Sequence, residues 1–357
     1  MNHWNQVARA LEENGLDAML LTGAANRFYV TGFASDDEGG VALVTRKGNF
    51  FFTDARYMEA AEQQIEHAAF GLVDGRKGYI QWLTEALDLT GAKLVGFEED
   101  RMTVAQWQRY TEQLPCTLQP ASALMAALRS RKDPEELERM RQAQRIAEQA
   151  FDQLLQEMHP GMTERQIAAR LQYLAISAGA ERMSFSTIVA SGPNSSVPHA
   201  VPTDRAIREG DFVTIDFGCV YRGYCSDMTR TLAVGDVTEE MEQVYDLVLR
   251  AQEAGLRTAR AGLTGQEVDA AAREVIEEGG FGPYFTHSLG HSLGVEIHEG
   301  PNATPGNRQS LPEDAVISIE PGIYLPGRFG VRIEDTVILR RDGCEDLMTM
   351  GRELVHL

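Results

Sequence analysis

Cysteine is scarce in this sequence. Four residues (Cys116, Cys219, Cys225, Cys344) among 357 are too few for the disulfide framework of a small secreted protein. Cys219 and Cys225 flank an expected turn, and all four are read as small packing residues in a reducing compartment. Positive charge is also short: 33 Lys and Arg stand against 53 Asp and Glu, a formal net charge of −20. Such a chain repels phosphates, which excludes nucleic acid and an anionic membrane surface as partners. Long hydrophobic runs are missing. No stretch is long enough to cross a bilayer, and the opening MNHWNQVARALEENG holds no apolar core of signal-peptide length. The expected location is therefore cytoplasmic. What is present, 43% hydrophobic and 24% charged residues, describes a folded chain long enough for two domains with a substantial core.

The first part of the chain alternates helix and strand. Trp4, Val7 and Leu11 predict a short amphipathic helix and Ala18 to Leu21 a strand. Val41 to Thr45 and Asn49 to Thr53 flank Lys47-Gly48 and predict a hairpin. Arg56 to Ile65 and Met102 to Leu114 predict helices, with a strand at Lys93 to Phe97 between them. The result is a small α/β domain, assigned to residues 1–128. Asp54, Arg56 and Tyr57 lie in a TDARY stretch at a strand-to-helix junction, where helix capping is the expected role.

A basic connector, Arg129-Ser130-Arg131-Lys132, opens a second domain, residues 129–357. Asp133 as N-cap, Pro134 in the first turn and Glu136 closing a capping box start a helix that runs to about Met158. Gly161-Met162-Thr163 is echoed by Gly262-Leu263-Thr264 at an offset of 101 residues. Each copy follows a long helix (about 135–158 and 239–260), begins a second helix with Thr as N-cap, and leads into strand-rich sequence. A βαα-type unit used twice, related by a pseudo-twofold within an α+β domain, explains the echo. A site at the seam would then draw on both halves.

Three of eight histidines, His287, His291 and His298, fall within twelve residues among Gly290 and Gly294. Neither a core helix nor a solvated face has that pattern. Two pairs of acids flank it in sequence. Phe212 to Gly218 and Tyr224 to Leu232 form an expected hairpin about Arg222-Gly223. With the turn centred between Tyr221 and Arg222, Asp216 and Asp227 are directly opposed, about 4.5–5.5 Å apart at Cβ. Glu320 and Glu334 face one another across a second turn, Pro326 to Gly330. Like charges so placed on apolar strands are destabilising unless a cation lies between them. Four carboxylates match the charge of two divalent ions, and oxygen-rich ligands with one imidazole suit manganese better than a thiolate zinc site.

The stretches TIDFGCVYRGYCSDMTRT, HSLGHSLGVEIHEGP, SIEPGIY and GVRIED, in that order, resemble the dinuclear metallopeptidases of the pita-bread fold. That family includes methionine aminopeptidase, aminopeptidase P, prolidase and the metal-free creatinase. The resemblance covers about residues 135–357, and the N-terminal α/β domain is similar to that of the Xaa-Pro peptidases and creatinase. It implies that Asp216, Asp227, His291, Glu320 and Glu334 bind two divalent ions, with Asp227 and Glu334 bridging. It implies substrate contacts from His199 (in SGPNSSVPHAVP), His298 and His287, and a site shaped by Tyr324 and Arg332. The ions expected are Mn2+, with Co2+ or Zn2+ as alternatives, and the family habit of dimerising through the N-terminal domain makes a homodimer the expectation.

The reaction these residues imply is hydrolysis of the N-terminal Xaa-Pro bond of peptides or dipeptides. Two ions sharing a water lower its pKa and supply hydroxide near neutral pH, while one ion polarises the carbonyl under attack. Glu320 is the candidate for moving the proton to the leaving amine. His199 and His298 would donate hydrogen bonds to the tetrahedral intermediate. The alternatives are an aminopeptidase of broader or methionine specificity, a non-catalytic binding module on the same fold, and a creatinase-like hydrolase of small guanidino compounds.

Overall fold

The structure, a computed structural model, describes residues 2–357. It divides into two units, one ending at Arg129 and the other Ser130–Leu357. In the first unit one sheet runs in the order Ala69–Val73, Gly48–Asp54, Val41–Thr45, Ala18–Leu21, Leu94–Phe97, Thr117–Pro120. Val41–Thr45 is antiparallel to both neighbours, and the remaining pairs are parallel. The central strands AMLL and VALVT are buried along their whole length, which is why they read as unbroken apolar runs rather than alternating ones.

Two local expectations are corrected here. The first hairpin turns on Arg46-Lys47, because Gly48 pairs with Thr45. The Thr45 hydroxyl accepts from the N–H groups of Lys47 and Gly48 at 3.1 and 3.0 Å and fixes that turn. Asp54 does not cap a helix. Its Oδ1 accepts from Arg56 N at 2.9 Å while both its oxygens bind the Arg56 guanidinium, so the helix begins only at Met58.

The second unit starts as its sequence dictates. Asp133 Oδ1 accepts from the N–H groups of Glu135 and Glu136 at 2.8 and 2.9 Å, and Glu136 Oε2 accepts from Asp133 N at 2.8 Å. The helix they open is Pro134–Glu157. The echo at Gly161 and Gly262 is a structural repeat. Both glycines have positive φ, 96° and 94°, where an L side chain is strained. Thr163 and Thr264 then cap Glu164–Ser177 and Gly265–Glu278 in capping boxes closed by Gln166 and Glu267. Each loop is pinned in the same way, by Gly161 N to Ile207 O and Gly262 N to Leu311 O, both 2.9 Å. Thr163→Ala and Thr264→Ala are each expected to cost about 1 kcal/mol, and to add in the double variant because the caps share no partner. Urea unfolding of the three variants checks this.

Each copy sets its helix pair against three strands in the same order. In the first, Met228–Ala233 pairs with Phe212–Phe217, which pairs with Ile188–Ser191. In the second, Asp335–Arg340 pairs with Val316–Ile319, which pairs with Gly290–Ser292. Period-two alternation then sorts the side chains. Val213, Ile215 and Phe217 pack with Phe151 and Leu171 of the first helix pair, and Ile317 and Ile319 with Val248 and Ala272 of the second. The intervening Asp216 and Ser318, and Glu320 just beyond, are left on the face away from the helices. The copies meet through the Thr229↔Glu334 bridge, where Arg230 Nη2 reaches Asp335 Oδ1 at 2.8 Å and its Nη1 reaches the Glu334 carbonyl at 2.7 Å.

Candidate metal centre

The hairpin carrying Asp216 and Asp227 turns on Arg222 and Gly223, at φ 46° and 79°, between the paired Tyr221 and Tyr224. Two central residues with positive φ make the tight turn whose twist suits a hairpin. The turn centre therefore lies one residue later than expected, and the register shifts by two. Asp216 is opposite Thr229, not Asp227. Because a two-residue shift preserves the face, Asp227 still lies on the Asp216 side, as its diagonal neighbour. The hairpin is also bent at Gly218, where a Cβ would stand 1.8 Å from the Ser226 carbonyl oxygen. Gly218→Ala is expected to push back the strand that carries Asp227, costing about 1–3 kcal/mol and weakening metal affinity; thermal unfolding and metal titration would show it. The second pair is as expected: the ladders Ile319↔Asp335 and Gly322↔Arg332 bracket Glu320 and Glu334 at mutually opposed positions.

His291 comes to these acids from a neighbouring strand. Its Nε2 lies 3.4 Å from Asp227 Oδ2 and 3.5 Å from Glu320 Oε1. Asp227, His291 and Glu334 each offer a ligand atom within 4.8 Å of the others. Burial raises the Asp227 carboxyl to about 7, with Asp216 and Glu320 adding to the rise. Burial, then Asp227, Glu320 and Asp216, hold Glu334 well above the usual carboxylate range. Asp216 is raised by burial too, against the pull of Arg332. Burial alone would lower His291, but the Asp227 and Glu320 carboxylates override it and lift the imidazole to about 9.

One buried oxygen on each of three acids, Asp216 Oδ1, Asp227 Oδ1 and Glu334 Oε1, has no hydrogen-bond partner. A buried carboxylate oxygen left so costs free energy that a cation would recover. Those orphaned oxygens, with one imidazole beside them, are a donor set that fits hard divalent ions.

Around the acids lies a cavity of about 510 Å³ lined by His199, His287, His298 and Arg332 among others. His199 and His298 are exposed at its mouth, and His298 meets the His291 ring edge to face at 4.5 Å. His287 is lowered by burial, and its Nε2 is 2.9 Å from the Tyr324 hydroxyl. Arg332 donates to that hydroxyl at 2.7 Å and to Asp216 Oδ2 at 2.5 Å. Burial lifts the Tyr324 phenol to about 12, so it stays a neutral link in this chain. Two contributors escaped the sequence reading. The Thr229 hydroxyl donates to Glu334 Oε2 at 2.7 Å, and the Ser318 hydroxyl to Glu320 Oε1 at 2.9 Å. Each is two residues from an acid on the same strand or its extension, so period-two spacing alone could have found them.

Residues 138–341 match metallopeptidase family M24, and residues 4–131 match the creatinase/prolidase N-terminal domain. A protein of Pyrococcus horikoshii named Xaa-Pro dipeptidase is 34% identical over 352 residues, 98% of this chain and 97% of its own. The solved structure of a Xaa-Pro dipeptidase from Bacillus anthracis has a TM-score of 0.94 at 38% identity, covering 99% of each chain. That of an X-Pro aminopeptidase from Thermotoga maritima also has a TM-score of 0.94, at 36% identity, covering 100% of each. Fold and centre together define a metal-dependent hydrolase. The chain belongs to metallopeptidase family M24, with a creatinase/prolidase-type α/β domain preceding a pita-bread catalytic domain.

Proposed function

We propose that this protein hydrolyses the N-terminal Xaa-Pro bond of its substrates. The acid cluster with its three orphaned oxygens carries the metal-dependent part of this reading, and the names of the relatives carry the proline preference. Asp216, Asp227, His291, Glu320 and Glu334 would hold two divalent ions. Mn2+ is the proposed metal, because oxygen donors dominate the set. When bound, the ions supply Lewis acidity for the scissile carbonyl and lower the pKa of a water.

The remaining work falls to side chains. Ser318 orients Glu320 through the 2.9 Å bond, which readies its carboxylate to take the proton of the attacking water. Glu320 then hands that proton to the proline nitrogen, which must leave as an amine. His199 and His298, at the cavity mouth, donate to the oxygen on which negative charge develops. His287, Tyr324 and Arg332 form a relay of hydrogen bonds that fixes Asp216. The same reading extends to a cytoplasmic homodimer. Manganese-loaded protein is expected to cleave peptides with proline second and to spare the same peptides with alanine there. Cleavage of neither set, or of the alanine set alone, contradicts the proposal.

A further inference from the structure

Glu164 is an acid outside the metal centre, fully buried at 0% exposure. It begins the helix Glu164–Ser177, but its carboxylate serves the chain that follows. Oε1 accepts from Ser191 N at 2.8 Å, Ser191 Oγ at 2.7 Å and Asn194 Nδ2 at 3.0 Å, and Oε2 accepts from Thr203 N at 2.9 Å and Thr203 Oγ1 at 2.5 Å. Burial pushes this carboxyl up, but the bonds from Thr203 and Ser191 outweigh it and hold it below its ordinary value, so both oxygens are acceptors at neutral pH. Ser191 ends the strand Ile188–Ser191, and Thr203 lies twelve positions on. They are the two feet of the loop that carries His199 to the cavity mouth. The first turn of that loop, Gly192–Ser196, rests on the second copy: Gly330 N donates to Ser195 Oγ at 2.9 Å and Gly327 N to Ser196 Oγ at 3.2 Å. Beyond it the Pro198 carbonyl accepts from Arg332 Nη1 at 3.4 Å, and Val197, His199 and Val201 are exposed. A bond that long holds little, so the span bearing His199 depends on its feet.

The duplicated architecture shows what the carboxylate replaces. At the offset of 101 residues, Glu164, Ser191 and Thr203 correspond to Gly265, Ser292 and Thr304, and His298 lies two residues before the equivalent of His199. In that second copy the returning chain lies directly on its strand. Gly290 pairs with Ala303, Ser292 N donates to Asn302 Oδ1 at 3.1 Å, and Ser292 Oγ donates to the Pro301 carbonyl at 2.5 Å. A Cβ on Gly265 would stand 2.1 Å from the Asn302 carbonyl oxygen, so no side chain fits between the helix start and the loop. In the first copy the Glu164 carboxylate lies in that place. One mouth histidine is therefore placed by backbone pairing and the other by a single carboxylate.

We propose that Glu164 is a positioning residue for the reaction: it clamps both feet of the loop and so sets where His199 meets the developing negative charge. This rests on the Xaa-Pro reading and on the role given there to His199. A group that stabilises such charge must be held to within about 0.5 Å, and a misplacement of about 1 Å costs on the order of 10²-fold in rate. In Glu164→Gln one oxygen still accepts from one foot, while the amide N–H groups meet donors at the other. One foot is thus released with almost no change of volume.

The test is a double-mutant cycle between Glu164→Gln and His199→Ala in the manganese-loaded full-length protein, on whichever of Ala-Pro and Ala-Pro-Ala the wild type cleaves faster. Glu164→Gln is expected to keep Mn2+ uptake and lower kcat about tenfold, and His199→Ala to lower it about 10²-fold. In the His199→Ala background the Gln substitution should cost less than about twofold, because the group it acts through is gone. Equal losses in both backgrounds mean a merely structural role and overturn the inference while the Xaa-Pro reading stands. A His199→Ala variant as active as wild type overturns it too. Wild type that cleaves neither peptide overturns the Xaa-Pro reading and this inference with it. Hydrogen exchange reads the clamp without activity: the amide of Ser191 or of Thr203 should lose protection in the Gln variant, and unchanged protection at both contradicts the clamp. Thr203→Val, which removes one hydroxyl donor, carries the same cycle should the Gln variant fail to load metal. It is expected to lower kcat about threefold alone and to be silent beside His199→Ala, and additive losses overturn the inference.

Discussion

Glu334→Gln is expected to abolish tight metal uptake and lower kcat/KM by about 10³-fold or more, yet raise the melting temperature of the metal-free protein. Opposite signs for function and stability are the signature of a centre assembled against repulsion. Without cations, Glu334 is an acid buried among acids, with Asp227 and Glu320 both raising its carboxyl. The amide keeps the shape and can still accept from the Thr229 hydroxyl, which now donates to Oε2 at 2.7 Å. Removing the charge should gain about 1–2 kcal/mol, a few degrees in a protein of this size.

The pH dependence has a defined sign. A carboxyl whose folded-state pKa is raised adds stability that is full below its unfolded pKa and is lost as pH rises through the folded one. Glu334 starts from an ordinary value of 4.5 and lies well above it in the fold. The melting temperatures of the metal-free wild type and the Gln variant should therefore converge near pH 4, with the gap widening in favour of the variant as pH rises to about 8. Saturating Mn2+ should reverse the order, because the ion stabilises only the protein that binds it. A melting curve of the variant that lies below wild type without metal contradicts this.

Arg332→Gln should do the opposite to stability. The guanidinium is the buried counter-charge of Asp216 and the donor to Tyr324. Its loss leaves an acid already raised by burial without the group that pulls it down. Breaking a buried pair from one side costs about 3–5 kcal/mol, read by urea unfolding in the presence of a chelator. Activity should fall as well, since Asp216 and Tyr324 lose their common anchor. Arg332→Lys is expected to recover only part of both, because an ammonium cannot span Asp216 and Tyr324 as the planar fork does. Full recovery in the Lys variant would mean that charge alone, and not the two-pronged geometry, matters at this position.

Much of the molecule was legible in its sequence for local reasons. Asp133-Pro134-Glu135-Glu136 specifies a helix start without help from the rest of the chain, and the repeated Gly-x-Thr announces the duplication because both copies need the same positive-φ turn and the same cap. The apolar positions of the strands separate the acids from the helices by alternation alone. The register of the hairpin that carries Asp216 and Asp227 was less legible, because it depends on which two residues adopt positive φ. Arg222 does so at 46° although arginine has no special tolerance for it, and one residue's error there moves Asp216 from Asp227 to Thr229. The acids stayed on one face only because the slip was even. Thr229 and Ser318 went unnoticed for a different reason: a hydroxyl on a strand is ordinary until its carboxylate partner is seen. The commitment of Arg332 to Asp216 joins residues 116 positions apart, and no local pattern announces it.

The most direct test is metal stoichiometry. Chelator-stripped wild-type protein titrated with Mn2+ and followed by calorimetry and by elemental analysis after desalting should take up about two equivalents per chain, with Glu334→Gln failing to retain them. Wild-type protein that stays metal-free at saturating Mn2+, with an unchanged melting temperature, would contradict the idea that these buried acids are held together to bind cations.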